Sequence, residues 1–232
     1  MGFFLSRHLC DGFFCFINHR EYLYLLTTIL KQGRWFVMNT QNANKQSEKT
    51  KRMVLTALLI SLAAVLSMVK VLKMPLGGSV TLLSMLPIAM LSIEYGTKRG
   101  LSSAFLYSIV QFGLDFGEVL SWGLTPAVLI GTIVFDYVIA YTALGVSGAF
   151  RDKGIKGICS GIFVALLIRF VSHFISGTIL FASWCPDGWN VVLYSICYNG
   201  AYMLPEMVVT MIGASVMFKM PQINRLMAGD KI

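Results

Sequence analysis

The sequence predicts an all-α integral membrane protein of six transmembrane helices, with both termini on the cytoplasmic side. Three observations carry that prediction. Hydrophobic residues make up 56% and charged residues 13% of the 232 positions, and the mean hydropathy of +0.70 is too apolar for an ordinary soluble domain. The apolar residues gather into runs that approach the roughly 20 residues a helix needs to cross a bilayer. Lys and Arg collect on alternate connections between those runs, which is the pattern that orients membrane helices.

The same composition excludes other classes. The length leaves no room for a nucleotide-hydrolysing module beside the spans, and no GxxxxGK[ST] phosphate loop occurs. A formal charge of +8 would point to nucleic acid in a soluble protein, but here the bases flank hydrophobic runs, so topology explains them and no nucleic-acid partner is expected. The five cysteines, Cys10, Cys15, Cys159, Cys185 and Cys197, are odd in number and lack CxxC spacing, which supports neither a disulfide framework nor a metal site.

Taken in order, residues 1–37 mix aromatic residues (Phe13, Phe14, Phe16, Tyr22, Tyr24, Trp35) with Arg7, Asp11, Arg20, Glu21, Lys31 and Arg34, so no uninterrupted span can be drawn. They fit a signal peptide poorly and read as an upstream extension, either an interfacial segment or a start-site artefact. From Met38 a polar tract runs to Arg52. The chain thus divides into an extension and cytoplasmic leader at 1–52, a six-helix membrane domain at 53–219 and a cytoplasmic tail at 220–232. Helices are expected near 53–72, 80–96, 100–117, 124–148, 156–182 and 190–219. With the N-terminus inside, the inner segments hold Lys45, Lys49, Lys51 and Arg52, then Lys98 and Arg99, then Arg151, Lys153 and Lys156, then Lys219, Arg225 and Lys231. Only Lys70 and Lys73 remain as outer bases. Loops near 73–79, 117–124 and 183–189 then face out, carrying Asp115, Glu118 and Asp187 beside Trp122, Trp184 and Trp189. Such an acidic, aromatic rim favours a cation over an anion.

Four ionisable residues lie at membrane depth, where each needs a partner or a role. Arg169 and His173 are four residues apart and share a face of the fifth helix, while Glu206 in the sixth lies at about the depth of Arg169. An Arg169–Glu206 ion pair that fixes helix register is one reading. Asp136, in the fourth helix, either pairs with Arg169 or faces a ligand. In the outer half of the sixth helix, Tyr194 and Tyr198 form an i, i+4 aromatic stripe beside Asn199 and Tyr202. An amide in lipid needs partners, and Asn199 both donates and accepts. His173, Tyr194 and Asn199 together present the donors and acceptors that suit a heteroaromatic ring.

The first outer loop, KMPLGGSVTLLSMLP, combines Pro75 with Gly77–Gly78 ahead of a helix start capped by Ser79. It is either a connection or a cover for a ligand. In the first helix Ala57 and Ser61, with Ala63, Ala64 and Ser67, permit close approach of another helix.

The segments MPLGGSVTLLSMLPI, FDYVIAYTALGVSG, RFVSHFISG and YSICYNGAYMLPE, in this order between Met53 and Phe218, resemble the thiamine-specific substrate-binding (S) components of energy-coupling factor transporters, the YuaJ/ThiT type. GGSVTLLSM together with RFxxHFxSG is the specific part of the likeness. The resemblance implies a six-helix bundle in the cell membrane that binds thiamine near the outer face without a cofactor. It also implies docking on a transmembrane coupling subunit driven by two ATPase subunits. By the same resemblance, ligand contacts fall on Asp136, Tyr137, His173, Gly177, Tyr194 and Asn199. The coupling subunit would meet helix one at Ala57 and Ser61. Asp136 stands where the family pattern often has Glu, and Phe181 stands where Trp is expected, with Trp184 as a substitute one turn on. Independently, thiamine joins a thiazolium cation to an aminopyrimidine, and a carboxylate, an imidazole, an amide and aromatic faces are the groups that hold such a molecule.

Three other readings keep the membrane architecture: an S component for another vitamin or precursor, a membrane-embedded enzyme using Asp136, His173 and Glu206, and a self-sufficient secondary transporter or channel. The small size and the lack of an evident inverted repeat argue against the last. The enzyme reading lacks HExxH and GxSxG, so no catalytic residue is assigned.

Overall fold

The computed structural model describes residues 46–74, 77–81 and 83–219. The N-terminal expectations for residues 1–37, the start of the leader, Cys10, Cys15 and Pro75 therefore lie outside the described residues, as does the tail from 220. Chain packing divides the protein after Val54. Of the first unit the described part is 46–54, the opening turns of helix α1 (Gln46–Met68), closed locally by a Lys51–Glu48 ion pair of 2.9 Å.

After α1 come strands β1 (Lys70–Lys73) and β2 (Ser79–Thr81). Helices α2 (Leu86–Tyr95) and α3 (Thr97–Ser121) follow. Next are α4 (Pro126–Val146) and α5 (Arg151–Ile179), each continuous apart from local changes of winding, and α6 (Val191–Met217). Four of these helices, α1, α4, α5 and α6, are long and apolar enough to cross a membrane. α2 is a shorter apolar helix, and α3 is long but carries Lys98, Arg99, Asp115 and Glu118.

The distribution of side chains is that of a protein in lipid. Leu106, Ile109, Ile130, Ile179, Leu204 and Ile212 are exposed, whereas Ser92, Ser108, Gln111, Thr132, Ser147, Ser176, Asn199, Glu206 and Thr210 are buried. Polar groups turn inward because lipid offers them no hydrogen bonds. An apolar core joins Met85, Leu86, Ile88, Leu91, Tyr107, Leu144, Ile162, Leu166 and Met207. Within it α2, α3 and α4 meet backbone to backbone. A Cβ on Gly145 would lie 2.4 Å from Leu101 Cα, and one on Gly148 would lie 2.1 Å from the Ser92 carbonyl oxygen. Ser92 closes this crossing, donating to the Gly145 carbonyl and accepting from Gly148 N–H.

Three expectations need correction. The first outer loop is an antiparallel hairpin, pairing Leu72 with Val80 and Lys73 with Ser79. The second helix begins at Leu86 and not near 80, so Ser79 lies in a strand and caps nothing. Pro87 is the reason: it withholds a backbone donor and belongs in a helix's first turn, and Leu83 breaks the chain just upstream at φ 58°. Asp115 and Glu118 are not loop residues, since α3 runs on to Ser121.

Candidate ligand-binding site

α3, α4, α5, α6 and the hairpin surround a cavity of about 150 Å³. All eight residues expected to contact a ligand line it: Asp136, Tyr137, His173, Gly177, Phe181, Trp184, Tyr194 and Asn199. Asp187 does not; it is exposed on the loop before α6. Ala57 and Ser61, expected at a partner interface, are exposed on α1.

Local winding sets the central dyad. Between Ile133 and Ile139, α4 opens into a π-helix, which packs more residues into each turn and so brings neighbouring side chains closer in direction. Asp136 and Tyr137 both reach the cavity from it. Asp136 Oδ1 meets His173 Nδ1 at 2.9 Å, and its Oδ2 accepts from Ser176 Oγ at 2.6 Å. Asp136 and His173 are 15% and 14% exposed at their side chains. With Nδ1 committed to the carboxylate, His173 Nε2 is left in the cavity wall without a partner among the described residues.

Asn199 is more occupied than its sequence position implies. Its Nδ2 donates to Ser195 O at 2.9 Å and Ser195 Oγ at 3.2 Å, and its Oδ1 accepts from Tyr202 Oη at 2.8 Å. Gly177 is what lets these helices touch: a Cβ there would stand 2.4 Å from Ser195 Oγ. Tyr194 and Tyr198 stack, with centroids 5.9 Å apart.

The two pairings considered for Arg169 do not form. Glu206 accepts from Thr81 Oγ1, Asp136 is taken by His173 and Ser176, and Arg169 lies over the Tyr141 ring, 4.0 Å from its centroid. The residue is only 5% exposed, and its Nε and Nη1 have no hydrogen-bond partner among the described residues. A tyrosine face partly satisfies a cation, and the Tyr141 ring does so here. The hairpin's Thr81 reaches Glu206 in its place, a contact that sequence spacing could not foresee.

At the mouth, Trp122, Phe181 and Trp184 form a cluster with centroids 4.7 to 6.2 Å apart. The hairpin covers it: Gly77, at φ +99°, would place a Cβ 2.5 Å from the Trp122 ring, and Gly78 N–H donates to Tyr198 Oη at 3.1 Å. Lys70 bridges to Glu118 at 3.3 Å and Asp115 at 3.9 Å, and Lys73 to Glu118 at 3.4 Å.

Sequence reasoning missed Gln111, Asp115, Glu118 and Trp122 as one wall. Their 4-3-4 spacing was the available signal, because it sets all four on one face of α3. Ser195, Asn199, Tyr202 and Glu206 repeat the same spacing on α6, and all line the cavity.

The sequence profile of the family described as Thiamine transporter protein (Thia_YuaJ) matches residues 53–225. The thiamine transporter ThiT of Bacillus subtilis (strain 168) is 32% identical over 200 residues, covering 80% of this chain and 98% of that protein. The chain belongs to the Thia_YuaJ family. ThiT of Lacticaseibacillus paracasei is 28% identical over 148 residues, covering 57% of this chain and 70% of that protein. A solved structure of ThiT from Listeria monocytogenes shares the fold, with a TM-score of 0.63 at 21% identity over 76% of this chain and 98% of that one. This Thia_YuaJ member is a multi-pass protein of the plasma membrane, and its family is one of transporters and not of enzymes.

Proposed function

We propose that this chain is the thiamine-binding subunit of an energy-coupling factor transporter, capturing thiamine at the outer face for ATP-driven uptake by partner subunits. The observation that carries the reading is the cavity in which the Asp136–His173–Ser176 network meets the aromatic mouth. Four carboxylates, Asp115, Glu118, Asp136 and Glu206, line it against two bases, Lys70 and Arg169, a balance that favours a cationic ligand. Asp136 holds the imidazole so that Nε2 presents a lone pair, an acceptor for the exocyclic amine of an aminopyrimidine. Tyr194, Phe181 and Trp184 offer faces for the two rings of thiamine.

In this reading α1 to α6 all cross or enter the bilayer with both termini inside, as the Lys and Arg asymmetry favours. The exposed Ala57–Ser61 face of α1 meets the transmembrane coupling subunit, which two ATPase subunits drive. Purified protein titrated with thiamine should give saturable quenching of tryptophan fluorescence, since Trp122 and Trp184 line the cavity. No saturation at micromolar ligand overturns the binding role. Thiamine uptake by a host without coupling ATPases overturns the dependence on partners.

A further inference from the structure

Asp136 is the acid expected to face the ligand's positive charge, yet both of its oxygens already accept hydrogen bonds, from His173 and Ser176. It is committed to orienting the imidazole. A different carboxylate stands ready. Asp115 lines the same cavity and is aimed there by two buried neighbours: Gln111 Nε2 donates to its Oδ2 at 2.8 Å, and Tyr137 Oη donates to the same atom at 3.5 Å. Among the described residues its other oxygen, Oδ1, faces only the Lys70 ammonium, at 3.9 Å. Lys70 in turn lies 3.3 Å from Glu118, and the three side chains are 26%, 22% and 29% exposed.

Resting on the thiamine reading above, we propose that Asp115 is the specificity-determining counter-charge for the ligand's cation, and that Lys70 is a tethered cation holding its place until the ligand arrives. The loose 3.9 Å contact fits an exchangeable partner, as does its location on a short hairpin strand. Lys70 can swing to Glu118 alone without leaving a bare ammonium, so the exchange leaves neither side unpaired. An ammonium and a thiazolium compete for one carboxylate because two like charges at that distance repel.

Binding of thiamine and of its uncharged isostere, with thiophene replacing thiazolium, is measured by calorimetry on the full chain in detergent. Asp115→Asn keeps size and an acceptor for Gln111; it should weaken thiamine about tenfold or more while changing the isostere by less than about threefold. Lys70→Gln should strengthen thiamine by about threefold and leave the isostere within about twofold. Equal loss of both ligands in Asp115→Asn, no loss of either, or weaker thiamine binding in Lys70→Gln overturns the assignment. Should Asp115→Asn fail to fold, Lys70→Gln decides alone. Wild-type protein that binds no thiamine overturns the preceding reading, whereas wild-type binding with an indifferent Asp115→Asn sinks only this one.

Discussion

The inner wall of the cavity and its mouth are built from different forces. Inside, Asp136, His173, Ser176, Ser195, Asn199 and Tyr202 lie on α4, α5 and α6 and are tied by short hydrogen bonds that leave His173 Nε2 open. Such bonds are strong and costly to leave half made. At the mouth, the hairpin's Lys70, Lys73, Gly77 and Gly78 are fastened by ion pairs, by contact with Trp122 and by one Tyr198 bond, while its base is anchored by buried Val80 and by Thr81 on Glu206. Half-exposed ion pairs contribute little and are screened by salt. The inner wall and the base of the hairpin are therefore held by buried contacts, whereas the hairpin's outer part is held by weaker, more exposed ones.

The comparison breaks most clearly at Asp136. Asp136→Ala strands two donors and frees the imidazole, so thiamine affinity should fall about a hundredfold and stability by about 1–3 kcal/mol, read by calorimetry and thermal melts. An unchanged melting temperature would show that the network is not structural.

Next come His173→Ala and Asn199→Ala, each expected to cost about tenfold in affinity. Asn199→Ala should also lower the melting temperature, because Tyr202 loses its acceptor. Unchanged affinity in either removes that residue from the site.

Gly77→Ala attacks the mouth alone. The added methyl meets the Trp122 ring in a backbone region that only glycine adopts readily, so stopped-flow traces should show dissociation about fivefold faster with little change in melting. The smallest effect is expected from Lys73→Gln, whose side chain is 61% exposed. Affinity should stay within about twofold, and the difference should vanish at high salt; a larger, salt-insensitive loss would mean that the mouth is held as firmly as the interior.

Composition and charge placement alone determined that this chain is helical and membrane-embedded, because lipid forces apolar side chains outward and backbone bonds into helices. The motif-bearing positions were equally legible: Asp136, His173, Tyr194 and Asn199 stood out because polar groups are expensive at membrane depth. What sequence could not supply was partnership. Asp136 reaches His173 and Ser176 across 37 and 40 positions of chain, through a π-helical turn that no local pattern announces. Arg169 settles on the Tyr141 ring and leaves Glu206 to Thr81 of the hairpin, contacts that only tertiary packing brings about. Asp115 and Glu118, assigned to a loop, became a cavity wall only once α3 was seen to continue and to turn its polar stripe inward. Spacing along one helix fixes which residues share a face; only the packed bundle decides what that face meets.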